Sequence, residues 1–466
     1  MEIGFYGAAC EVTGSKHIVR LSNGLNFLLD CGLFQGGGDE IDAWNTNFSF
    51  QAKEIDFVLL SHAHIDHSGL LPKLVKEGFE GKIYATKATK ELCEIMLEDS
   101  ARIQEADIRF VNKKRQSRGQ KLLEPLYDTD DVKETVKLFE IVKYGVEFQP
   151  AKDIIVRYED AGHIIGSAWM HISINEGEKN WSLAFSGDIG RATNRILKAP
   201  TKLQTADIII CESTYGGKSH DKDPNLKESL REIVWETCVT NQGKLIIPAF
   251  SVGRTQEIIS SLNDLHFEGR LPRVPVYVDS PLSKKATQVV EDNEECFNSN
   301  MIEFMKLDPD PFGFKGLHFT EDKADSKELN ESKEPSIIIS ASGMAEAGRV
   351  KHHLLHTISN RKNAVLFVGY CSPYSLGGKL LNGDGEVKIF TELLPVRAKI
   401  YQLNGFSAHA DQNELLDFLD QVDRQKVNQV FLVHGEDTSL LSFKEALQAT
   451  GFDKVTIPKM KSWHKI

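Results

Sequence analysis

The chain has 466 residues, which is enough for two domains that each bury their own core. Its hydrophobic fraction of 41% and charged fraction of 26% are those of an ordinary globular protein, and no apolar run approaches the ~18 residues needed to span a bilayer. We therefore expect no membrane segment, and the N-terminus lacks the basic and apolar regions of a secretory signal. The net charge of −12 argues against general coating of a polyanion, although metal ions and a few Arg or Lys side chains can supply positive charge locally.

The predicted elements of the first third are short strands broken by Gly, Asn and Ser. They cover Ile3–Ala8, His17–Leu21, Leu25–Cys31, Asp56–Ser61 and Lys82–Thr86. From Lys90 to about Val111 the pattern becomes helical, and Thr129 begins a second helix whose apolar residues include Leu138 and Phe139. Strands return at Ile154–Tyr158, Ala168–Ile174 and Ser182–Ser186.

After about Thr205 strands and amphipathic helices alternate, a pattern that predicts βαβ units and a parallel sheet. The predicted strands are Ile208–Cys211, Lys244–Pro248, Val276–Asp279, Ile337–Ser340, Ala364–Gly369, Lys399–Leu403 and Gln429–Val433. The helices between or after them are Leu226–Thr237, Thr255–Leu265, Gln412–Val422 and Leu440–Thr450. We therefore expect the strand-rich part to be split by an α/β block, with a shorter piece after it.

Seven cysteines are scattered along the chain, and none forms a C-x-x-C pair. An odd number of dispersed cysteines, several within apolar strand-like runs, is typical of reduced thiols in a cytoplasmic protein.

The sharpest motif is H-x-H-x-D-H at residues 62–67, directly after a predicted buried strand. Residues two apart in an extended segment point the same way, so His62 and His64 can approach one ion together. Asp66 and His67 begin the next turn and can reach a second ion nearby. Imidazole and carboxylate groups are suitable zinc ligands, and three buried imidazoles without a metal would leave many polar atoms to satisfy.

Two ions need more ligands than this motif supplies. His163, Asp188 and His434 each follow a predicted strand and lie beside a glycine. A single histidine at a strand end is more often structural, but the shared position makes the three stronger candidates together than separately.

These motifs resemble those of the metallo-β-lactamase superfamily, and three further stretches resemble its β-CASP branch. The stretches are Cys211–Gly216, Gly405–Asp411 and Leu432–Glu436. The chain is similar throughout to short bacterial and archaeal β-CASP ribonucleases, which are related to the nuclease subunit of the eukaryotic pre-mRNA cleavage and polyadenylation machinery.

The resemblance implies an α/β fold: an αββα metallo-β-lactamase sandwich with an inserted β-CASP α/β domain and a cleft between them. We expect the sandwich to comprise residues 1–205 and 396–466, and the β-CASP domain to comprise residues 206–395.

The resemblance also implies two Zn²⁺ ions per chain and assigns a role to each motif residue. His62, His64, His163 and Asp188 would bind one ion, and Asp66, His67, Asp188 and His434 would bind the other. Asp30 would orient a ligand without binding metal itself.

The catalytic residues implied by the resemblance are Asp66, Glu212 and His409. Asp66 could accept the proton of the nucleophile, and His409 would protonate the leaving oxygen with Glu212 as its orienting partner. From the residues alone, an N-cap or surface position for Glu212 is an equal alternative.

Substrate contacts are predicted in the inserted domain. Ser342 and Gly343 follow a strand and could open a helix whose free N–H groups bind phosphate, and Arg254 lies in a similar strand–glycine–helix junction. Such junctions are also common without a ligand. We interpret the pair His352-His353 as part of a helix surface.

The implied function is hydrolysis of RNA phosphodiester bonds. RNA-processing members of the family tend to carry a histidine at the position of His434, and DNA-repair members an apolar residue. A hydrolase of a small-molecule ester or thioester, a DNA-directed β-CASP nuclease and a non-catalytic RNA-binding subunit are the alternatives. Dependence on a partner or on a homodimer stays open.

Overall fold

The structure is a computed structural model that describes residues 1–36, 38–220 and 225–466. The chain divides into two compact units, which we call the first unit (Met1–Ser219 and His409–Ile466) and the inserted unit (His220–Ala408). Both dividing points lie farther along the chain than the predicted boundaries. The reason is that strand Ile208–Glu212 joins a sheet of the first unit, whereas strand Lys399–Gln402 joins the sheet of the inserted unit.

The strands of the first unit before the insertion are β1 (Glu2–Phe5), β2 (His17–Arg20), β3 (Asn26–Leu29), β4 (Phe57–Leu59), β5 (Lys82–Thr86), β6 (Phe139–Val142), β7 (Glu147–Ala151), β8 (Ile154–Asp160), β9 (Ala168–Glu176), β10 (Lys179–Phe185) and β11 (Ile208–Glu212). Those of the inserted unit are β12 (Lys244–Pro248), β13 (Val276–Val278), β14 (Leu317–Phe319), β15 (Ser336–Ser340), β16 (Ala364–Phe367), β17 (Glu386–Ile389), β18 (Glu392–Pro395) and β19 (Lys399–Gln402). The first unit then resumes with β20 (Gln429–Val433), β21 (Val455–Thr456) and β22 (Ser462–Lys465).

The α-helices of the first unit before the insertion are α1 (Asp39–Thr46), α2 (Ile65–Ser68), α3 (Leu71–Lys76), α4 (Lys87–Ser117) and α5 (Thr129–Lys137). Those of the inserted unit are α6 (Leu226–Val234), α7 (Arg254–Phe267), α8 (Pro281–Glu291), α9 (Ser299–Met305), α10 (Lys323–Glu331), α11 (Val350–Thr357) and α12 (Leu376–Leu381). Two more in the first unit are α13 (Gln412–Phe418) and α14 (Asp437–Ala449). No helix in the described residues is both long and apolar enough to cross a bilayer.

The first unit is a sandwich of two seven-stranded sheets, in the orders β22-β1-β2-β3-β4-β5-β6 and β21-β20-β11-β10-β9-β8-β7. Alternate strand residues point to opposite faces, so one face of each sheet contributes to a shared core in which Phe5 and Phe27 meet Met170 and Phe185. Helices α13 and α14 cover the outer face of the second sheet, and α4 contacts β5 and β6 of the first sheet. This layering is the αββα arrangement.

The inserted unit is built on a six-stranded parallel sheet with the order β14-β13-β15-β12-β16-β19. Its central strands β12 and β15 are buried at every residue, as expected when helices cover both faces of a parallel sheet. Helices α11 and α12 pack Leu354 and Leu380 against Ile246, Ile338 and Val365. The mixed α/β fold class is confirmed.

Two helices differ from the prediction. Helix α4 is longer at both ends, and it begins after Thr86, whose hydroxyl accepts a hydrogen bond from the backbone N–H of Thr89. Helix α5 is shorter, because Phe139 belongs to strand β6, where it pairs with Ile83 and is buried. The apolar pattern alone could not separate a last helical turn from the start of a strand.

Candidate metal centre

The seven side chains predicted to bind metal come from four chain segments, each of which follows the carboxyl end of a strand in the first unit. Residues 62–67 follow β4, His163 follows β8, Asp188 follows β10 and His434 directly follows β20. Strands β10, β11 and β20 run parallel to one another, so the ends of β10 and β20 lie at the same edge of their sheet.

Tight backbone turns let these segments approach one another. Gly187 has a φ of 53°, and a Cβ there would lie 2.6 Å from Cβ of Ser61. Gly162 has a φ of 62°, and a Cβ there would lie 2.6 Å from the carbonyl oxygen of Lys198. His434 itself has a φ of 54°, a left-handed conformation that is uncommon outside glycine and often occurs at functional sites.

The first group of candidate ligands is His62, His64, His163 and Asp188. Nδ1 of His64 lies 3.1 Å from Nε2 of His62 and 3.2 Å from Nε2 of His163. Oδ2 of Asp188 lies 3.5 Å from each of those two Nε2 atoms.

The second group is Asp66, His67 and His434, together with the other oxygen of Asp188. The Nε2 atoms of His67 and His434 are 3.2 Å apart, and Oδ2 of Asp66 lies 3.4 Å from Nε2 of His434. Oδ1 of Asp188 lies 3.3 Å from Nε2 of His67 and 3.7 Å from Nε2 of His434. Each group therefore brings four ligand atoms together, and the two oxygens of Asp188 face different groups.

These separations fit zinc. Ligand atoms about 2.1 Å from a tetrahedral zinc ion lie roughly 3.4 Å from one another, and neighbouring ligand atoms of the two groups are 3.1 Å to 3.8 Å apart. Oδ1 of Asp188 is buried and accepts no hydrogen bond from the described residues. A buried carboxylate oxygen without a donor is costly in a folded protein, and a bound cation would satisfy it.

The protonation states also suit metal binding. Burial lowers the pKa of His62 and His163 well below the ordinary value and that of His64 to about 4, so these rings are neutral at pH 7 and can donate a lone pair. Burial also opposes a charge on His67, but Asp188, Asp30 and Asp66 outweigh it and raise its pKa well above the ordinary value. The carboxylates thus favour a cation at this position.

Three contacts behind the histidines fix the direction of their rings. Nδ1 of His67 lies 2.7 Å from Oδ2 of Asp30, Nδ1 of His434 lies 2.9 Å from Oγ1 of Thr214, and Nδ1 of His62 lies 3.0 Å from Oγ of Ser61. Each contact leaves Nε2 directed at the proposed ion, as outer partners of metal-bound histidines commonly do. The motif of Asp30 predicts this role. Sequence reasoning missed Ser61 and Thr214, although each lies beside or inside a motif of the metal centre.

His409 lies at the edge of this centre. A backbone bridge pairs it with Gly190, and Nδ1 of His409 is 3.4 Å from Oε1 of Glu212 and 3.9 Å from Oδ2 of Asp188. Burial opposes a charge on His409, but Glu212 and the nearby aspartates outweigh it and raise its pKa. Glu212 is buried at the end of β11 and accepts a hydrogen bond from the N–H of Ile189 (2.6 Å), so it is neither a helix cap nor a surface acid.

The predicted substrate contacts lie in the inserted unit and fit less well. Ser342 and Gly343 follow β15, but they do not open a helix, because α11 begins only at Val350. Arg254 begins α7 as predicted, yet its side chain is 8% exposed and its guanidinium pairs with Glu257. The phosphate-binding helix start proposed for Ser342 and Gly343 is therefore wrong, and the charge of Arg254 is already compensated.

The interpretation of His352-His353 as helix surface is wrong for His353, although His352 is exposed. His353 is buried, and its two ring nitrogens contact Asp279 at 2.7 Å and Asn330 at 2.8 Å. Helix α11 packs on the parallel sheet, so two adjacent residues of it face different surroundings.

Three family models match successive parts of the chain. Residues 18–207 match a metallo-beta-lactamase superfamily domain, residues 255–380 match the Beta-Casp domain, and residues 393–458 match a Zn-dependent metallo-hydrolase RNA specificity domain. Their order agrees with the division of the fold into a first unit and an insertion.

Similar proteins match over nearly the whole chain. The sequence is 37% identical over 454 residues to Ribonuclease TTHA0252 of Thermus thermophilus, and the match covers 97% of each chain. It is 31% identical over 451 residues to an RNase J-like protein of Methanocaldococcus jannaschii, covering 96% of this chain and 95% of that protein. Transcription termination factor FttA of the same organism is 30% identical over 460 residues, covering 96% of this chain and 69% of that protein.

Proposed function

Because this chain belongs to the β-CASP branch of the metallo-β-lactamase superfamily, we propose that it is a two-zinc ribonuclease that hydrolyses phosphodiester bonds of RNA. The observation that carries the proposal is the pair of four-atom groups that share Asp188, with His409 beside them. The family predicted from the sequence motifs is confirmed.

Three observations favour RNA as the substrate. The end of the chain matches a model described as an RNA specificity domain, and two of the similar proteins are named as a ribonuclease and an RNase J-like protein. The third is His434, which the resemblance associates with RNA-processing members.

We propose that His62, His64, His163 and Asp188 bind one zinc ion and that Asp66, His67, His434 and Asp188 bind the other. When bound, a pair of zinc ions supplies a water molecule whose pKa is lowered to about 7 and stabilises the charge on a phosphate. The second oxygen of Asp188 is what allows one residue to serve both groups.

Side chains of the protein carry out the proton transfers. Asp66 accepts a proton on Oδ1, the oxygen that is not a candidate metal ligand, and its carboxyl group is ionised because His67 and His434 outweigh burial and lower its pKa. His409 donates a proton from Nε2 to the leaving oxygen, while Glu212 accepts the hydrogen bond of Nδ1–H and keeps the ring protonated. Ser342, Gly343 and Arg254 stay proposed contacts for RNA, without a helix start at Ser342 and with the guanidinium of Arg254 paired to Glu257.

The seven cysteines are all free thiols, which supports a cytoplasmic location. A homodimer is a separate proposal, which light scattering of the zinc-loaded protein tests.

The direct test incubates zinc-loaded protein with 5′-labelled RNA, DNA of the same sequence, and a chromogenic β-lactam or thioester. We expect cleavage of RNA alone. Turnover of the small ester with intact RNA would establish the small-molecule alternative, and preferential cleavage of DNA would establish the DNA-directed one.

Two variants separate metal binding from proton donation. We expect His64→Ala and His409→Ala each to abolish detectable RNA cleavage, but only His64→Ala to lower the zinc content. Equal zinc loss in both variants would contradict the role given to His409.

A further inference from the structure

Helix α4 extends far beyond the core of the first unit. All its buried residues lie between Ala88 and Ala101, and no residue from Arg102 to Leu126 is buried. We call residues 102–126, which comprise the end of α4 and the returning chain, the arm.

The arm carries a concentrated positive charge. Between Ile108 and Leu123 it has six basic residues and no acidic residue, in a chain whose net charge is −12. The six are Arg109, Lys113, Lys114, Arg115, Arg118 and Lys121. Only Arg109 pairs with a carboxylate, that of Glu105 at 3.6 Å; the other five have no carboxylate partner in the described residues.

The arm is held in shape by its own hydrogen bonds. The side chain of Asn112 makes two bonds of 2.9 Å with the backbone of Leu123, and Nε of Arg115 donates to the carbonyl oxygen of Lys121 at 2.7 Å. Phe110 is 63% exposed, and Nζ of Lys114 lies 5.0 Å from the centre of its ring. A preformed basic surface with an exposed aromatic ring loses less entropy on binding than a flexible tail.

We propose that the arm is an RNA-binding surface distinct from the metal centre, where basic side chains hold the phosphates of a single strand and Phe110 stacks on a base. This combination of cations and an aromatic face is the usual chemistry of single-strand binding. The inference rests on the proposed ribonuclease activity, because it adds a second contact for the same substrate.

The position of the arm explains why only a long substrate would use it. The first turn of α4 touches the loop of His163, since the hydroxyls of Thr86 and Thr89 donate to the carbonyl oxygen of Gly166 at 2.7 and 2.8 Å. Arg109 is 22 residues after Lys87, or roughly 33 Å farther along the helix at 1.5 Å per residue. A phosphodiester small enough to fill the metal centre cannot reach that far, whereas an RNA strand can.

The same surface also exposes Ile103, Val111, Leu122 and Leu123, which raises the alternative of a protein interface. A two-fold contact between two arms would place the same cations opposite one another, and like charges repel. The charge therefore favours a polyanion over a second copy of this chain.

The test compares two variants that lose the same charge. The arm variant carries Lys113→Gln, Lys114→Gln, Arg118→Gln and Lys121→Gln, and it keeps Arg115 because that side chain supports the turn. The control carries glutamine at four scattered exposed lysines, Lys152, Lys323, Lys333 and Lys454. The zinc-loaded proteins are assayed on an unstructured RNA of about 30 nucleotides, a length beyond the ~4–16 nucleotides that a single binding module covers, and on bis(p-nitrophenyl) phosphate.

We expect the arm variant to raise KM for the RNA about 10-fold with little change in kcat. Its affinity for RNA should also depend less on salt: the fall of log affinity with log salt should become less steep by up to about 3. Its hydrolysis of bis(p-nitrophenyl) phosphate should equal that of the control. Phe110→Ala should also weaken binding of the RNA without changing the salt slope, because it removes stacking and no charge.

An unchanged KM for RNA, or an equal rise in the control, would overturn the proposal. So would an arm variant that loses activity on both substrates, or one that changes its mass in light scattering while RNA binding stays constant. If the wild-type protein cleaves no RNA, the proposed function fails. The arm is then judged by the anisotropy of labelled RNA in the same set of proteins, which requires no cleavage.

Discussion

Two buried aspartates, one in each unit, lie just after a strand and beside histidines, but their polar atoms are satisfied in different ways. In the inserted unit, Asp279 follows β13 and accepts hydrogen bonds from Ser326 (2.6 Å), Arg349 (2.6 Å) and His353 (2.7 Å). Both ring nitrogens of His353 have partners. This cluster is complete without an added group.

In the first unit, Asp188 lies among histidines whose ring nitrogens are close to one another. Its Oδ1 atom accepts no hydrogen bond from the described residues, and the ring nitrogens of His62, His64 and His163 converge on its Oδ2 side. Residue types alone therefore do not identify a metal centre. What identifies it is a set of ligand atoms that the protein itself leaves unsatisfied.

The two clusters should differ most in RNA cleavage and zinc content when each aspartate is replaced by asparagine. We expect Asp188→Asn to lower RNA cleavage at least about 1,000-fold and to remove most of the bound zinc, because both ions lose a shared anionic ligand. Asp279→Asn is the matched control and should keep its zinc, as measured by plasma mass spectrometry. Full zinc content in Asp188→Asn would remove the distinction between the two clusters.

The next effect is on the free energy of unfolding of the Asp279→Asn variant. Asp279→Asn leaves Arg349 with a weakened partner, and breaking such an ion pair costs about 3 kcal/mol of unfolding free energy. We expect urea unfolding of the zinc-loaded protein to show this loss. A change in unfolding free energy below about 0.5 kcal/mol, the size typical of surface substitutions, would show that the contacts of Asp279 do not stabilise the fold.

A smaller effect is expected from a residue that only orients a ligand. Thr214→Val removes the hydroxyl beside Nδ1 of His434 and should weaken binding of the second zinc about 10- to 100-fold, measured by competition with a chelator. Thr237→Val is the control, since Oγ1 of Thr237 is buried in the inserted unit with no hydrogen-bond partner in the described residues. Equal zinc affinity in the two variants would show that Thr214 does not orient His434.

The smallest expected effect is a change of the unfolding free energy with pH. Burial raises the pKa of Asp279, but its bonds with His353, Ser326 and Arg349 outweigh this and lower it below the ordinary value. The folded state then binds fewer protons than the unfolded one, so this contribution is present above about pH 4, the unfolded value, and is lost as the pH falls further. The difference in unfolding free energy between wild type and Asp279→Asn should therefore become smaller below about pH 4. A difference that became larger would contradict the lowered pKa of Asp279.

Much of the fold could be predicted because its strands are short apolar runs with clear ends. The H-x-H-x-D-H motif and the glycines beside His163 and Asp188 marked the strand ends that meet at the metal centre. Phe139 was misplaced because an apolar residue after a helix looks the same as the start of a strand.

Partners that depend on tertiary packing could not be predicted. His353 and Arg254 carry the same groups as true ligands or phosphate contacts, and only the distances to Asp279 and Glu257 show that they are already paired. The charge of the arm was visible in the sequence, but its exposure was not, because the helical pattern does not tell where the core ends.

The central claim is that two groups of ligands around Asp188 bind two zinc ions. The most direct measurement is an anomalous difference map from a crystal of the zinc-loaded protein, recorded at the zinc edge. We predict two peaks about 3.5–4 Å apart, one on each side of the Asp188 carboxylate. A single peak, or a peak beside Asp279 and His353 with none at Asp188, would contradict the claim.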